Sequence, residues 1–271
     1  MQELPELEIY RALLAERFAG ARITAVRTAR ARTTEQEGAE QAEAAVGASV
    51  WYVERRDAYL IFHLDNGKRL MLEVAPKSYL YCGTAEEKPI ALATAAIHFG
   101  ERMLGLHGFT PDRIRVRTVK EVEAQLKTSG IDPLDKRFTL SRFKELFAKR
   151  RIALKTALTD RASLAGIGSV YSDEIAFAAG LLPGAKIAGL SPEAWERLYQ
   201  AIGTVLKEAI SHGGIGDRPL FAGDALTGGY ADRLQVYDRE NEQCERCGGM
   251  VEKLTVSGRK AFACRGCQSE G

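Results

Sequence analysis

The chain has 271 residues, of which 45% are hydrophobic and 27% charged, with 38 Lys plus Arg against 36 Asp plus Glu. This is the profile of an ordinary globular protein, and it excludes disordered, collagen-like and disulfide-scaffold classes. No apolar run approaches the roughly 20 residues that cross a bilayer. Met1-Gln2-Glu3-Leu4-Pro5-Glu6 carries acids where a secretory leader would carry Lys or Arg, so a cytoplasmic protein with no membrane partner is expected.

Leu7, Tyr10, Leu13, Leu14 and Phe18 recur at helical spacing, which predicts a helix over Pro5–Phe18 ended by Gly20. From Ile23 to about Val116 the pattern changes to short β-like runs: Val50–Val53, Tyr59–Leu64, Leu70–Val74 and Tyr79–Cys82. Asp65-Asn66-Gly67 between two of them signals a hairpin. Thr33–Ala45 is polar and reads as a surface loop or a short exposed helix. Around Ser129-Gly130-Ile131-Asp132-Pro133 the character becomes helical, with apolar spacing over Leu140–Ala148, Ala153–Asp160, Val170–Ala179 and Pro192–Ile210. Ser191 before Pro192 is an N-cap followed by proline in the first helical turn. Gly213–Gly229 is glycine-rich with little periodicity and reads as a mobile loop. Leu234–Tyr237 and Leu254–Phe262 read as strands of a small C-terminal module. The expected organisation is α+β in three parts: a sandwich over 1–128, helices over 129–232 and a small module over 233–271.

Charge is uneven along the chain. Lys136–Lys155 holds eight Lys or Arg and one acid, Glu145. Such a run is commonly a solvated face; beside the features below it makes nucleic acid the leading partner class.

Four of the five cysteines form Cys244-Glu245-Arg246-Cys247 and Cys264-Arg265-Gly266-Cys267, with 16 residues between the pairs. Two such knuckles bridged by a hairpin place four thiolates at tetrahedral corners, the donor set of one structural Zn²⁺. Disulfides or a redox motif are the alternative, which an intracellular chain disfavours. Cys82, in a strand run, reads as a buried small hydrophobe. Between the knuckles, Ser257-Gly258-Arg259-Lys260 reads as a turn that presents Arg259 to a phosphate or to plain solvent, an even contest. Gly166 and Gly168 lie in the turn between two helices. Glycines before a helix N-terminus let amides approach an anion, although tight helix packing accounts for them equally well. The upstream basic run and Lys155 favour a helical clamp on one DNA backbone.

Met1-Gln2-Glu3-Leu4-Pro5-Glu6-Leu7-Glu8, Gly166-Ile167-Gly168-Ser169-Val170-Tyr171-Ser172-Asp173-Glu174-Ile175, Leu234-Gln235-Val236-Tyr237 and the four-cysteine module closed by Gln268 together resemble the formamidopyrimidine-DNA glycosylase and endonuclease VIII family. The resemblance runs nearly end to end and in the family's order. It implies an N-terminal β-sandwich with a leading helix, a helix–two-turn–helix domain and a C-terminal zinc finger. It also implies a monomeric bacterial DNA-repair protein, associated with the nucleoid, that binds damaged or abasic duplex DNA. Family members flip a damaged base, cut its glycosidic bond and usually nick the strand by β-elimination. Their nucleophile is an N-terminal proline amine exposed by removal of the initiator Met. By resemblance Glu3 is the catalytic acid, Glu6 a supporting carboxylate and Glu174 an acid near the reaction centre. Lys155, Gly168, Ser169, Tyr237 and Arg259 are the expected DNA-contacting set.

The departures lie on one side of that pattern. Gln2 replaces the proline and, being bulky, blocks removal of Met1, which leaves the Met1 amine one residue out of place. Arg55-Arg56-Asp57-Ala58-Tyr59 has Ala58 where the family has a phosphate-binding lysine. Glu73-Val74-Ala75-Pro76 has an acid and a proline where it has a phosphate-gripping histidine and an inserting methionine. No counterpart is found to the Asp-x-Arg-x-Phe-Gly stretch that fills the gap left by a flipped base. The expected activity is therefore base excision with weak or absent strand nicking, against the alternative of a non-catalytic damaged-DNA-binding protein.

Overall fold

The computed structural model describes residues 2–28 and 42–271, so Met1 and most of the Thr33–Ala45 stretch lie outside the described residues. Two compact units are present, one of residues 1–128 with 212–229 and the other of residues 129–211 with 230–271.

The first unit opens with helix α1, Leu4–Phe18. Glu3 is its N-cap in a capping box: the Glu3 carboxylate takes the Glu6 amide, and the Glu6 carboxylate takes the Glu3 amide at 2.9 Å. Leu4, Leu7, Tyr10, Leu14 and Phe18 form the buried face. Two four-stranded antiparallel sheets follow. One has the order β2-β3-β4-β8 (Val50–Arg56, Tyr59–Leu64, Arg69–Glu73, Ile114–Arg117). The other has the order β1-β6-β7-β5 (Ala25–Thr28, Ala95–Phe99, Arg102–His107, Tyr79–Gly83). Their inner faces meet in one core that includes Val53, Phe62, Leu72, Leu80, Ile97 and Leu106, with α1 packed against it. Strand β3 departs from simple alternation because both its faces are covered. Ile61 on its outer side lies with Met71 under Val122 and Leu126 of helix α3, Val119–Leu126, which follows the short helix α2, Lys88–Ala91. Asp65-Asn66-Gly67 makes the β3–β4 hairpin, with Gly67 at φ 79°.

The Gly213–Gly229 segment belongs to this sandwich unit and not to the helical segment 129–232. Leu220 is buried in the sandwich core, and its carbonyl accepts the Cys82 amide at 2.7 Å. The Arg17 guanidinium lies 4.0 Å from the Phe221 ring centre, and that of Arg218 4.4 Å from the Tyr79 ring centre. Asp224 accepts from the amides of Leu220, Leu226 and Thr227. The glycines here serve close backbone crossings: a side chain at Gly213, itself at φ 79°, would collide with the Leu226 carbonyl. Composition suggested mobility; tertiary packing uses the same glycines to fix the loop.

The second unit holds α4 (Leu140–Phe147), α5 (Leu154–Leu158), α6 (Ser169–Ala178) and α7 (Pro192–Ser211). Phe143 joins Phe138, Phe147 and Trp195 in an aromatic cluster between α4 and α7. A hairpin of β9 (Glu252–Val256) and β10 (Arg259–Ala263) turns at Ser257-Gly258. This cysteine module packs on the helices within the same unit, with Phe177 of α6 joining Val236, Val251 and Phe262 in one core. Leu234–Tyr237 is not a strand. Its amides are engaged by a side chain, described next.

Candidate active site and nucleic-acid interface

In the sandwich unit, Glu3 and Glu6 are both buried at the start of α1, at 4% and 3% exposure. The amide dipoles of a helix N-terminus are complementary to acidic side chains placed there. The second Glu6 oxygen accepts the Ile215 amide at 3.1 Å, so this one side chain caps α1 and ties the Gly213–Gly229 loop to it. Gln2 is half-buried ahead of Glu3, and its side-chain Oε1 is buried without a hydrogen-bond partner. Burial and the Glu6 carboxylate push the Tyr10 phenol up. Tyr10 is a core position in the sequence and lies in the sandwich core, at 5% exposure.

In the helical unit, Gly168 is the N-cap of α6 in extended conformation, preceded by Gly166 at φ 81°. Gly168 and Ser169 are half-buried at the positive end of the helix dipole. Lys155 does not face a phosphate. It is 1% exposed, and its Nζ donates to Asp173 Oδ1 at 2.7 Å and to the Ser169 carbonyl at 3.2 Å. The other Asp173 oxygen accepts the Phe262 amide of β10 at 3.1 Å, so the pair joins α5, α6 and the cysteine module. Burial pushes the Asp173 carboxyl up to about 7, against the pull of Lys155 and the Phe262 amide. An ion pair this enclosed is a structural joint.

Glu174 is likewise structural in its contacts. It is 2% exposed and accepts the amides of Gln235, Val236 and Tyr237 at 2.9, 3.0 and 2.8 Å. This is why an apolar stretch that reads as a strand makes no ladder there. Burial pushes its carboxyl up while the three amides pull it down. The half-buried Tyr237 ring packs edge-on against Phe262. Arg259 is exposed at the start of β10 and donates to Thr159 Oγ1 at 2.8 Å, which steadies it on the same surface as the end of α5.

Cys244, Cys247, Cys264 and Cys267 have their sulfurs within 4.8 Å of one another. The Cys247–Cys264 and Cys244–Cys267 separations are 3.4 and 3.8 Å. Sulfurs about 2.3 Å from a tetrahedral zinc lie about 3.8 Å apart, so the cluster could hold such an ion and leaves no open position. The Gly249 amide points at Cys247 Sγ, and Gln268 bridges the Cys264 amide to the Leu181 carbonyl, both at 2.7 Å, fastening the module to the helices. Cys82 takes no part; burial pushes its thiol up to about 12.

Residues 1–108 match the formamidopyrimidine-DNA glycosylase N-terminal domain and 129–219 the formamidopyrimidine-DNA glycosylase H2TH domain. The formamidopyrimidine-DNA glycosylase of Pelotomaculum thermopropionicum is 32% identical, with 99% of each chain covered. The chain belongs to the formamidopyrimidine-DNA glycosylase family. The Listeria monocytogenes serotype 4b enzyme is 30% identical over 99% of this chain and all of its own. A complex of Lactococcus lactis Fpg with abasic-site DNA superposes with a TM-score of 0.87 at 26% identity, covering 98% of this chain and 99% of that one. A complex of a point mutant of the same protein with Fapy-dG DNA gives 0.86, at the same identity and coverage. The four-cysteine module and the β-sandwich with its leading helix are thus features of a glycosylase-family chain. Against the family pattern, Ala58 stands half-buried beside the β2–β3 turn at Asp57, which has φ 52°. Glu73 faces Arg113 at 3.5 Å, and Pro76 is exposed. Neither Ala58 nor Glu73 offers a phosphate a positive charge. Among the described residues no helix is long and apolar enough to cross a membrane.

Proposed function

We propose that this protein is a DNA-repair glycosylase that binds duplex DNA at damaged or abasic sites and excises a flipped base, with little or no β-elimination. The observation that carries the reading is the amino terminus. Glu3 keeps its buried, capped station on α1, while Gln2 takes the place of the proline amine. A buried carboxylate can accept a proton from water, whereas Gln2 offers no nucleophilic amine. Met1, with its amine, lies outside the described residues. The duplex binds through the glycine turn at Gly168 and Ser169, with Arg259 on the hairpin as the phosphate contact. Lys155 and Glu174 hold this surface in shape and do not touch DNA. Cys244, Cys247, Cys264 and Cys267 hold one structural Zn²⁺, whose chemistry is to fold the finger that presents Arg259. The protein acts as a monomer at the bacterial nucleoid.

Relatives in complex with abasic and Fapy-dG DNA indicate the substrate class. The test is incubation with duplexes bearing abasic, oxidised or alkylated bases, with and without borohydride. Base release abolished by Glu3→Gln, with no borohydride-trapped adduct, supports the proposal. Strong trapping by the wild type overturns the assignment of Gln2 as a disabling change. Damage-selective binding with no release supports the second reading, a non-catalytic damage sensor, which Gln2 itself favours.

A further inference from the structure

Two exposed aromatic residues on β2 owe their position to one inserted residue. Val50 pairs with Leu64 and Tyr52 with His63, so Trp51 is one residue more than β3 can match. Strict alternation would send either Trp51 or Tyr52 into the core. With the bulge, Val50 and Val53 both point inward, while Trp51 and Tyr52 both stay outside at 66% and 50% exposure. Tyr52 heads a row that runs straight across the sheet: its partner is His63, that of His63 is Arg69, and that of Arg69 is Arg117. At a strand spacing of about 4.8 Å the row is about 14 Å long. Helix α3 covers this outer face two residues further along, over Ile61 and Met71.

The row is fixed in place. His63 Nε2 lies 2.8 Å from Glu54 Oε2, and its ring stacks on that of Tyr52 at 3.8 Å with 20° between the planes. A stack is thus begun, and the Tyr52 face away from His63 is open. Arg69 Nη1 donates to the Gly67 and Lys68 carbonyls at 3.3 and 2.9 Å, which holds the guanidinium on its hairpin. Like charges directly opposite each other, as Arg69 and Arg117 are, destabilise a sheet, and an anion lying across them removes that cost. The neighbouring acids are engaged elsewhere: Glu54 with His63, Asp65 with the Ser49 amide and Glu121 with the Thr118 amide.

We propose that this face binds single-stranded nucleic acid, with unpaired bases stacked on Tyr52 and Trp51 and phosphates on Arg69 and Arg117. Every base has a π-face whatever its sequence, and a guanidinium fork matches phosphate oxygens. A duplex keeps its bases stacked on one another and cannot offer them to Tyr52. The face lies at the Phe18 end of α1, where the Gly20 amide donates to the Val50 carbonyl at 2.7 Å. Glu3 is at the other end of that 15-residue helix, about 22 Å away. This is therefore a second surface, and it stands whether or not Glu3 excises bases.

Trp51 supplies the readout, because the other tryptophan, Trp195, is 5% exposed. Oligothymidylate added to the intact protein should quench Trp51 fluorescence, and should still do so with a tetrahydrofuran-abasic duplex already bound. By anisotropy of a labelled oligothymidylate, Trp51→Ala and Tyr52→Ala should each weaken binding about tenfold, the loss of one stacked base. Arg69→Ala should make the salt slope shallower by about 0.7, one single-strand phosphate. None of the three should change duplex affinity. Oligouridylate run alongside tells the two kinds of strand apart, the tighter of the pair naming DNA or RNA. No quenching by either oligonucleotide, reversal of quenching by the duplex, or unchanged affinity in Trp51→Ala and Tyr52→Ala overturns the proposal. Quenching by a tyrosine-bearing polyglutamate peptide that neither oligonucleotide matches also overturns it, and makes the face a protein-docking surface.

Discussion

Replacing Lys155 by Met separates two roles that sequence alone assigns to one residue. The substitution keeps the length of the stem, so packing loss is small, but it removes the ammonium that holds Asp173 at 2.7 Å and the Ser169 carbonyl at 3.2 Å. Removing one partner of a buried ion pair costs about 3–5 kcal/mol. Asp173 lies near 7 through burial and can take up a proton once its partner is gone, which moves the cost toward the lower end. For a unit of this size about 3 kcal/mol lowers the melting temperature by roughly 10 °C. The sign of the pH dependence is fixed by Asp173. A carboxyl whose folded pKa is raised binds protons more readily in the folded state, so its contribution worsens as pH rises. The deficit of Lys155→Met should therefore grow from pH 6 to pH 9. The assays are calorimetric melting across that range and salt titration of duplex binding. A melting temperature within a degree or two of the wild type, together with a salt slope shallower by about 0.9, would show that Lys155 grips a phosphate and that the burial argument fails.

Glu174→Gln should lower stability by about 2–4 kcal/mol, because one amide oxygen cannot satisfy three converging amides; a normal melting curve with lost excision would restore Glu174 to the chemistry. Metal analysis should find one zinc per chain, and chelation should unfold the finger, since such sites couple about 10–16 kcal/mol of binding to folding; free thiols in a metal-free, folded protein would contradict this. Arg259→Ala should weaken binding to all duplexes and reduce the salt slope by about one phosphate contact, with little effect on melting because the side chain is exposed. His63, His98 and His107 all have their pKa lowered chiefly by burial in the sandwich unit. Their folded form prefers the neutral ring, so that unit's stability is complete above about pH 6.5 and should fall as the pH drops below it, read as a declining melting temperature from pH 7 to pH 5.

What the sequence by itself determined was set by short-range chemistry. The Cys-x-x-Cys spacings fix their own knuckles, Asp65-Asn66-Gly67 its hairpin, and Glu3 with Glu6 the cap of α1, because every partner lies within a few residues. The same local logic makes the helical stretches after residue 129 and the β9–β10 hairpin readable. Where partners are remote, local pattern misleads. Lys155 reads as part of a basic run, yet its fate depends on Asp173 and, through it, on the Phe262 amide far along the chain. Leu234–Tyr237 has the composition of a strand, but a carboxylate on α6 takes its amides before any neighbouring strand can. Glycines in the Gly213–Gly229 loop carry the same letters whether they serve freedom or close packing, and only the seating of Leu220 in the sandwich core decides between them. Gln2 is legible as a missing proline. That its side-chain oxygen ends up buried and without a hydrogen-bond partner is a matter of tertiary structure, because burial depends on which remote segments pack around residue 2.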